Sequence, residues 1–432
     1  MKKNPVIISI LVLLTFTGCS VYKHNSYNNN SLSKTGKAEF LFLSDIHLNT
    51  DSVGTSYGND TGTELWRSFL AKVDSLLSSS RPPGFAIYTG DLPSHYPCSG
   101  NCYLPPNARQ KHNRDLSTIL TDLRDLFTKH HTPFFYIPGN NDALAGDYYS
   151  FADEQGNTPL SLVTEIVNPY PALNIHPAGN KAPCMVSNAH PSMGYYSARP
   201  IEGLRMIGLN TVIYAKHFLT VDGTHPIDDG NDQMNWLAAE LKDSKAKGDK
   251  VYIAMHIPPG NDAYKFGKTP DNASMWVRPG GQNYTWENRF LALVDQYQSS
   301  IAGILFGHTH MDEIRRLYDS TGTHITAVAI SAPGVTPQHD NNPGFKLVQY
   351  EKKTKDLLDC TTYYTLPSAS SWGNRSYSMD SVFNFSAGNS LYKNICSSTL
   401  ADLSRSMNRV YTVMHGEVNY DIQPGIEVKF GQ

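Results

Sequence analysis

Five short stretches of this sequence place Asp, His or Asn directly after an apolar run: Asp45-Ile46-His47, Gly90-Asp91, Gly139-Asn140, His256 and Gly307-His308-Thr309-His310. Imidazole and carboxylate ligands together suit zinc, manganese or iron better than calcium. A carboxylate has two oxygens, so a single Asp can bridge two ions. Two ions about 3.5–4 Å apart clamp an in-line displacement at phosphorus and acidify a water between them toward pKa ~7. That hydroxide is then the nucleophile, and no Ser or Cys is required. Gly90, Gly139 and Gly307 would permit the sharp turns that bring such side chains onto a metal.

The elements that must position these residues are legible as short runs rich in β-formers: Phe40–Ser44, Phe85–Thr89, Phe134–Pro138, Val251–Met255 and Ile301–Phe306. Between them lie helical stripes: Leu65, Phe69, Val73 and Leu76; Leu116, Leu120, Leu123 and Phe127; Met234, Leu237 and Leu241. Strand-helix alternation predicts an α/β domain. Loops beyond strand ends are where ligands bind in such sheets, and all five runs deliver metal-type residues there. Past Lys352 the pattern weakens. Residues 368–390 are polar with scattered aromatics, residues 400–414 could hold a helix, and residues 352–432 read as a C-terminal appendage.

Lys2 and Lys3 followed by the apolar run Val6–Phe16 read as a signal peptide over residues 1–19. The run is too short to span a bilayer. Its end, Phe16-Thr17-Gly18-Cys19, resembles a bacterial lipobox, with Phe16 where Leu is usual. Cys19 is therefore a candidate lipidation site and membrane anchor, and the expected location is the bacterial cell envelope or the exterior. Residues 20–37, rich in Asn and Ser, read as a flexible tether to a catalytic domain over 38–351. Export permits disulfides among the six cysteines. A Cys98–Cys102 bridge is one candidate, and an odd thiol remains once Cys19 is lipidated. Sequons at Asn272 and Asn283 matter only in a eukaryotic secretory setting. The formal charge of -3, with no basic block, gives no indication of nucleic-acid binding.

The motif set resembles the calcineurin-like metallophosphoesterases, within them the acid sphingomyelinase and sphingomyelinase-like phosphodiesterase branch. The resemblance rests on Thr89-Gly90-Asp91-Leu92-Pro93-Ser94-His95, His256-Ile257-Pro258-Pro259-Gly260, Phe306 to Glu313, Asn342-Pro343-Gly344-Phe345, and Gln233 with Trp236, Leu237, Glu240 and Leu241. It covers about residues 40–350. It implies a sandwich of two mixed β-sheets flanked by helices, with a dinuclear metal site at the strand ends. One ion would take Asp45, His47, Asp91 and His310, the other Asp91, Asn140, His256 and His308, with Asp91 bridging. Relatives in the branch use zinc; manganese and iron are the alternatives.

Two departures bear on function. Most relatives carry His after the Asn ligand, where this chain has Asn141, which can donate a hydrogen bond but cannot supply a proton. Asn141 is a candidate phosphate contact or else a structural turn residue. His95, in the branch's Gly-Asp-x-x-x-His position, becomes the candidate general acid for the leaving group. The Gly-Asn-Asn-Asp variant also resembles secreted polyphosphatases. Acid sphingomyelinase carries a saposin domain before its catalytic domain, and only a short tether precedes Ala38 here, which favours soluble or exposed phosphoesters. The expected activity is hydrolysis of a small phosphodiester, nucleotide-like or phosphocholine-type. The alternatives are a polyphosphatase or nucleotide phosphoanhydride hydrolase, and a surface lipoprotein with a binding role. His217, His225 and His339 read as structural or exposed, the tyrosines of Gly194-Tyr195-Tyr196-Ser197 as packing, and Trp236 as core.

Overall fold

The computed structural model describes residues 36–95, 103–163, 184–263, 274–276, 285–418 and 420–431. The expected leader with Cys19, the Cys98–Cys102 loop, Asn272 and Asn283 lie outside them. The strands, in chain order, are β1 (Lys37–Leu43), β2 (Ala86–Tyr88), β3 (Phe134–Tyr136), β4 (Cys184–His190), β5 (Tyr195–Ile201), β6 (Leu204–Leu209) and β7 (Lys250–Met255). They continue with β8 (Ile301–Phe306), β9 (Ile314–Tyr318), β10 (Ile325–Ser331), β11 (Gly344–Glu351), β12 (Leu357–Tyr364), β13 (Ser376–Ser378) and β14 (Glu427–Val428). The five apolar runs became β1, β2, β3, β7 and β8. The three helical stripes became α1 (Thr63–Leu77), α2 (Pro106–Lys129) and α3 (Ile227–Lys247), and α4 (Thr285–Tyr297) follows.

Two mixed sheets result. The first has six strands in the order β13-β12-β11-β1-β2-β3, the second eight in the order β14-β9-β10-β8-β7-β6-β5-β4. β1, β2 and β3 run parallel, with β11 antiparallel to β1. β6, β7, β8 and β10 are parallel neighbours.

Successive side chains on a strand point to opposite faces, and here both faces are covered. Phe40, Phe42, Phe85, Ile87 and Phe135 of the first sheet meet Tyr196, Met206, Tyr252, Ala254 and Leu305 of the second. The intervening Leu41, Leu43, Tyr88 and Tyr136 pack under α1 and α2 through Leu65, Phe69, Leu116 and Leu123. On the far side, Val251, Ile253, Met255 and Ile304 pack under α3 and α4 through Met234, Leu237 and Phe290. Strands buried on both faces read as unbroken apolar runs, which is why β1, β7 and β8 were visible without alternation. The layers are helix, sheet, sheet, helix, as the resemblance implied.

Residues beyond Lys352 are woven into this frame. β12 and β13 extend the first sheet and β14 pairs with β9 in the second. The helix Leu400–Val410 adds Leu403 and Met407 to the core between the sheets.

Candidate metal centre

The turns that follow β1, β2, β3, β7 and β8 meet at one place and are stitched to one another by backbone hydrogen bonds. Asp45 N–H donates to Gly90 O at 2.9 Å, Ile46 N–H to Asp91 O at 2.9 Å, and Gly307 N–H to His256 O at 3.0 Å. Asp45, His47, Asp91, His308 and His310 all have left-handed backbone, with φ between 46° and 75°. For a residue with a Cβ this costs roughly 1–2 kcal/mol, and such strain persists only where surrounding structure over-determines it. Of the three glycines expected to form sharp turns, Gly90 has positive φ, +98°, and a Cβ there would lie 2.3 Å from Gly139 N. Gly307 serves by close approach instead, since a Cβ on it would lie 2.0 Å from Ser44 Oγ.

All seven expected ligands gather in this cluster. His47 Nε2 lies 3.4 Å from Asp91 Oδ2, His256 Nε2 lies 3.3 Å from the same oxygen, and His310 Nε2 lies 3.6 Å from Asp45 Oδ1. His256 Nε2 is 3.0 Å from Asn140 Oδ1 and 3.2 Å from His308 Nδ1. Apart from His308, which is part-exposed, these side chains are buried.

Partners behind the cluster fix which atoms face inward. His256 Nδ1–H donates to Thr89 O at 2.6 Å and His47 Nδ1–H to Pro93 O at 3.1 Å. A carbonyl can only accept, so in each neutral ring Nε2 keeps its lone pair toward the cluster. Asn140 Nδ2–H donates to Asp147 at 2.7 Å, which turns Oδ1 inward. His256 Nε2 lies 3.0 Å from Asn140 Oδ1 and 3.2 Å from His308 Nδ1, spacings that let these atoms share a cation. His47 Nε2 and His310 Nδ1 are buried without a hydrogen-bond partner among the described residues. The residues therefore fit divalent ions with nitrogen and oxygen ligands.

The electrostatics agree. Burial, with Asp91 beside it, pushes the Asp45 carboxyl up to about 7. Burial opposes charge on His256, but Asp91 and Asp45 outweigh it and raise its pKa to about 9. Burial and the neighbouring imidazoles of His339, His47 and His95 depress His310 well below the usual histidine range. Two carboxylates in a dry pocket draw positive charge, and cations answer that field.

His95 stands at the rim, one third exposed, stacked on His47 with ring centroids 3.8 Å apart. Its Nδ1 pairs with Asp60 Oδ1 at 2.7 Å, and its backbone N–H donates to Asp60 Oδ2 at 2.9 Å. Burial opposes its charge, but Asp60 prevails and raises its pKa. Asn141 donates both its backbone N–H and its Nδ2–H to the Asp91 carboxylate, each at 2.8 Å.

Sequence reasoning missed several neighbours. Asp142 accepts from the backbone N–H groups of Asp91, Leu92 and Gly139. Asp60 belongs to an irregular Ser- and Gly-rich loop with no period to reveal it. His339, read as structural or exposed, stacks on His310 at 4.1 Å. Tyr148, with φ of 60°, stands edge-on to His308 at 6.5 Å. Only Asp142 carried a local signal, as the end of Gly-Asn-Asn-Asp. The thiols of Cys360 and Cys396 are free.

The calcineurin-like phosphoesterase family pattern matches residues 38–312. Sphingomyelin phosphodiesterase of Bos taurus is 26% identical over 361 residues, covering 75% of this chain and 51% of the relative. Cyclic GMP-AMP phosphodiesterase SMPDL3A of Homo sapiens is 28% identical over 316 residues, covering 69% of this chain and 60% of the relative. The chain thus spans between half and three fifths of these relatives. A solved dimetal phosphatase from Danio rerio aligns with a TM-score of 0.48 at 14% identity, covering 79% of this chain and 98% of that one. This chain belongs to the calcineurin-like phosphoesterase family.

Proposed function

We propose that this protein is an exported phosphodiesterase with two divalent metal ions, zinc first among the candidates. The observation that carries this reading is the convergence of Asp91, Asn140, His256 and His308, with His256 Nε2 at 3.0–3.3 Å from nitrogen or oxygen atoms of the other three. Asp45, His47, Asp91 and His310 would hold one ion, and Asp91, Asn140, His256 and His308 the other, with Asp91 shared. When bound, the pair would acidify a water for attack on phosphorus and neutralise charge on the phosphoryl oxygens. The chain's own contribution is orientation. Thr89 O and Pro93 O set the ring faces of His256 and His47, while Asn141 and Asp142 hold Asp91 and its turn.

His95 is the proton donor in this reading. Asp60 orients it through Nδ1 and leaves Nε2 for the leaving oxygen at the cleft. Its partial exposure and its stack on His47 support the assignment. Export rests on Lys2, Lys3 and the apolar run to Phe16, and lipidation on Cys19. Catalysis is assigned to residues 38–351. A second reading, a polyphosphate or nucleotide anhydride hydrolase, is favoured by Asn141, which offers no proton where relatives carry His.

The test is turnover by residues 20–432 loaded with zinc or manganese, against bis-p-nitrophenyl phosphate, a CDP-alcohol, sphingomyelin, ATP and polyphosphate, with Asp91→Ala as control. Diester turnover that the control lacks supports the reading. Preference for ATP or polyphosphate selects the second. A folded chain with two ions and no turnover of any member would sink both and leave the binding role.

A further inference from the structure

A cavity of about 590 Å³ opens beside His95, and none of the seven expected ligands is among its lining residues. Its volume is in the range of small-molecule sites. One wall is the loop between β1 and α1, which contributes Asn49, Ser52, Thr55, Ser56 and Asn59; the other is Gln338, after β10. The walls are tied together, since Gly58 N–H donates to Pro337 O at 3.1 Å. Asp60 and His95 form its inner end. The chemistry of this lining is uniform: side-chain amides and hydroxyls with one carboxylate, and neither Lys nor Arg among the described lining residues. Gln338 Oε1 is buried with no hydrogen-bond partner among the described residues.

We propose that this cavity is the leaving-group subsite and that it takes an uncharged, hydroxyl-bearing alcohol: a polyol, a sugar or a nucleoside. The proposal rests on the phosphodiesterase reading and narrows its substrate. Water oxygen joins phosphorus, and the P–O bond to the alcohol breaks with its electron pair remaining on the alcohol oxygen. That oxygen takes the proton of His95; of the two protons the attacking water gives up, one restores His95 and the other passes to solvent, leaving a phosphomonoester dianion. The departing alcohol is then beside His95, where its other hydroxyls meet Gln338 and the amides and hydroxyls of the loop. Among the described lining residues neither Lys nor Arg is present to meet the charge of a second phosphate, so the lining favours an alcohol over an anhydride.

The experiment compares methyl phosphodiesters of propan-1-ol, glycerol, glucose through O6 and adenosine through O5′, together with methyl pyrophosphate, on the metal-loaded chain. Each neutral hydrogen bond contributes about 0.5–1.5 kcal/mol, so two make the best hydroxyl-bearing ester about 10-fold better in kcat/KM than the propyl ester. Which ester wins distinguishes polyol, sugar and nucleoside. Gln338→Met and Asn59→Leu should each shrink that ratio several-fold. Saturation-transfer NMR with free glucose and adenosine should show contacts that weaken in both variants. A propyl ester cleaved as well as every other, or methyl pyrophosphate preferred, overturns the subsite while leaving a phosphoesterase in place. If bis-p-nitrophenyl phosphate is not cleaved either, the phosphodiesterase reading fails and the subsite falls with it.

Discussion

The carboxylate of Asp142 accepts the backbone N–H of Asp91 at 3.1 Å while its own side chain is fully buried. The same group accepts from Leu92 N–H at 2.7 Å and Gly139 N–H at 2.6 Å, so one side chain fastens the second and third ligand turns together. Burial, then the Asp91 charge, pushes its pKa up to about 6. Asp142→Asn replaces an acceptor oxygen by a donor and leaves at least one of these N–H groups unsatisfied, at about 1–3 kcal/mol. Losing such a supporting partner also weakens metal affinity about 10–100-fold. Metal titration and chemical denaturation would check both. Unchanged affinity would remove Asp142 from the positioning role.

His95→Gln should affect substrates according to their leaving group. General-acid loss costs about 10²–10⁴ in rate, and it should fall on alkyl diesters while p-nitrophenyl esters, whose alcohol departs unprotonated, lose far less. Asp60→Asn should show the same pattern more weakly, because the ring loses its ion pair but not its place. Equal losses for both ester types in His95→Gln would rule out proton donation.

Gly307→Ala would place a Cβ 2.0 Å from Ser44 Oγ and 2.9 Å from Asp45 Oδ2. Asp45 must then move, and the expected result is a folded chain that retains fewer than two ions by elemental analysis. Gly416→Ala, where nothing lies within 4 Å of the added Cβ, is the control and should bind as the parent does. Full occupancy in Gly307→Ala would contradict the crowding argument.

His112, buried in α2, donates from Nε2 to Ala143 O at 2.9 Å, and burial lowers its pKa from 6.5 to about 4. Its folded pKa lies below its unfolded value, so its stabilising contribution is complete above pH 6.5 and is lost as pH falls toward 4. The loss amounts to roughly 3 kcal/mol across that window. His112→Gln keeps an N–H for Ala143 O but cannot titrate, so its Tm should fall less steeply between pH 6.5 and 4. Parallel Tm curves for parent and variant would refute this.

The C-terminal part shows where sequence reading ran out. β12 is polar on one side and β13 and β14 are short, so no sustained period marked residues 352–432. Their placement depends on partners far away in sequence: β12 on β11, β14 on β9, and Asp312, just past His310, on Lys346, Thr362 and Tyr377. The last set joins the His308–His310 turn to the C-terminal strands and could not be read from spacing.

The five strand-end motifs, the α/β alternation and the residue types of the candidate ligands were all legible in the linear chain, because buried strands must be apolar and metals accept few side chains. The helix stripes were legible for the same reason, since one face of each had to bury Leu and Phe. Which nitrogen of His47 and His256 faces the cluster, that Asn141 binds Asp91, and that Asp60 holds His95 emerge from the folded arrangement alone. Those outcomes depend on carbonyls and carboxylates brought together across 35 to 167 positions of chain, and hydrogen bonds at that separation leave no periodic trace in sequence.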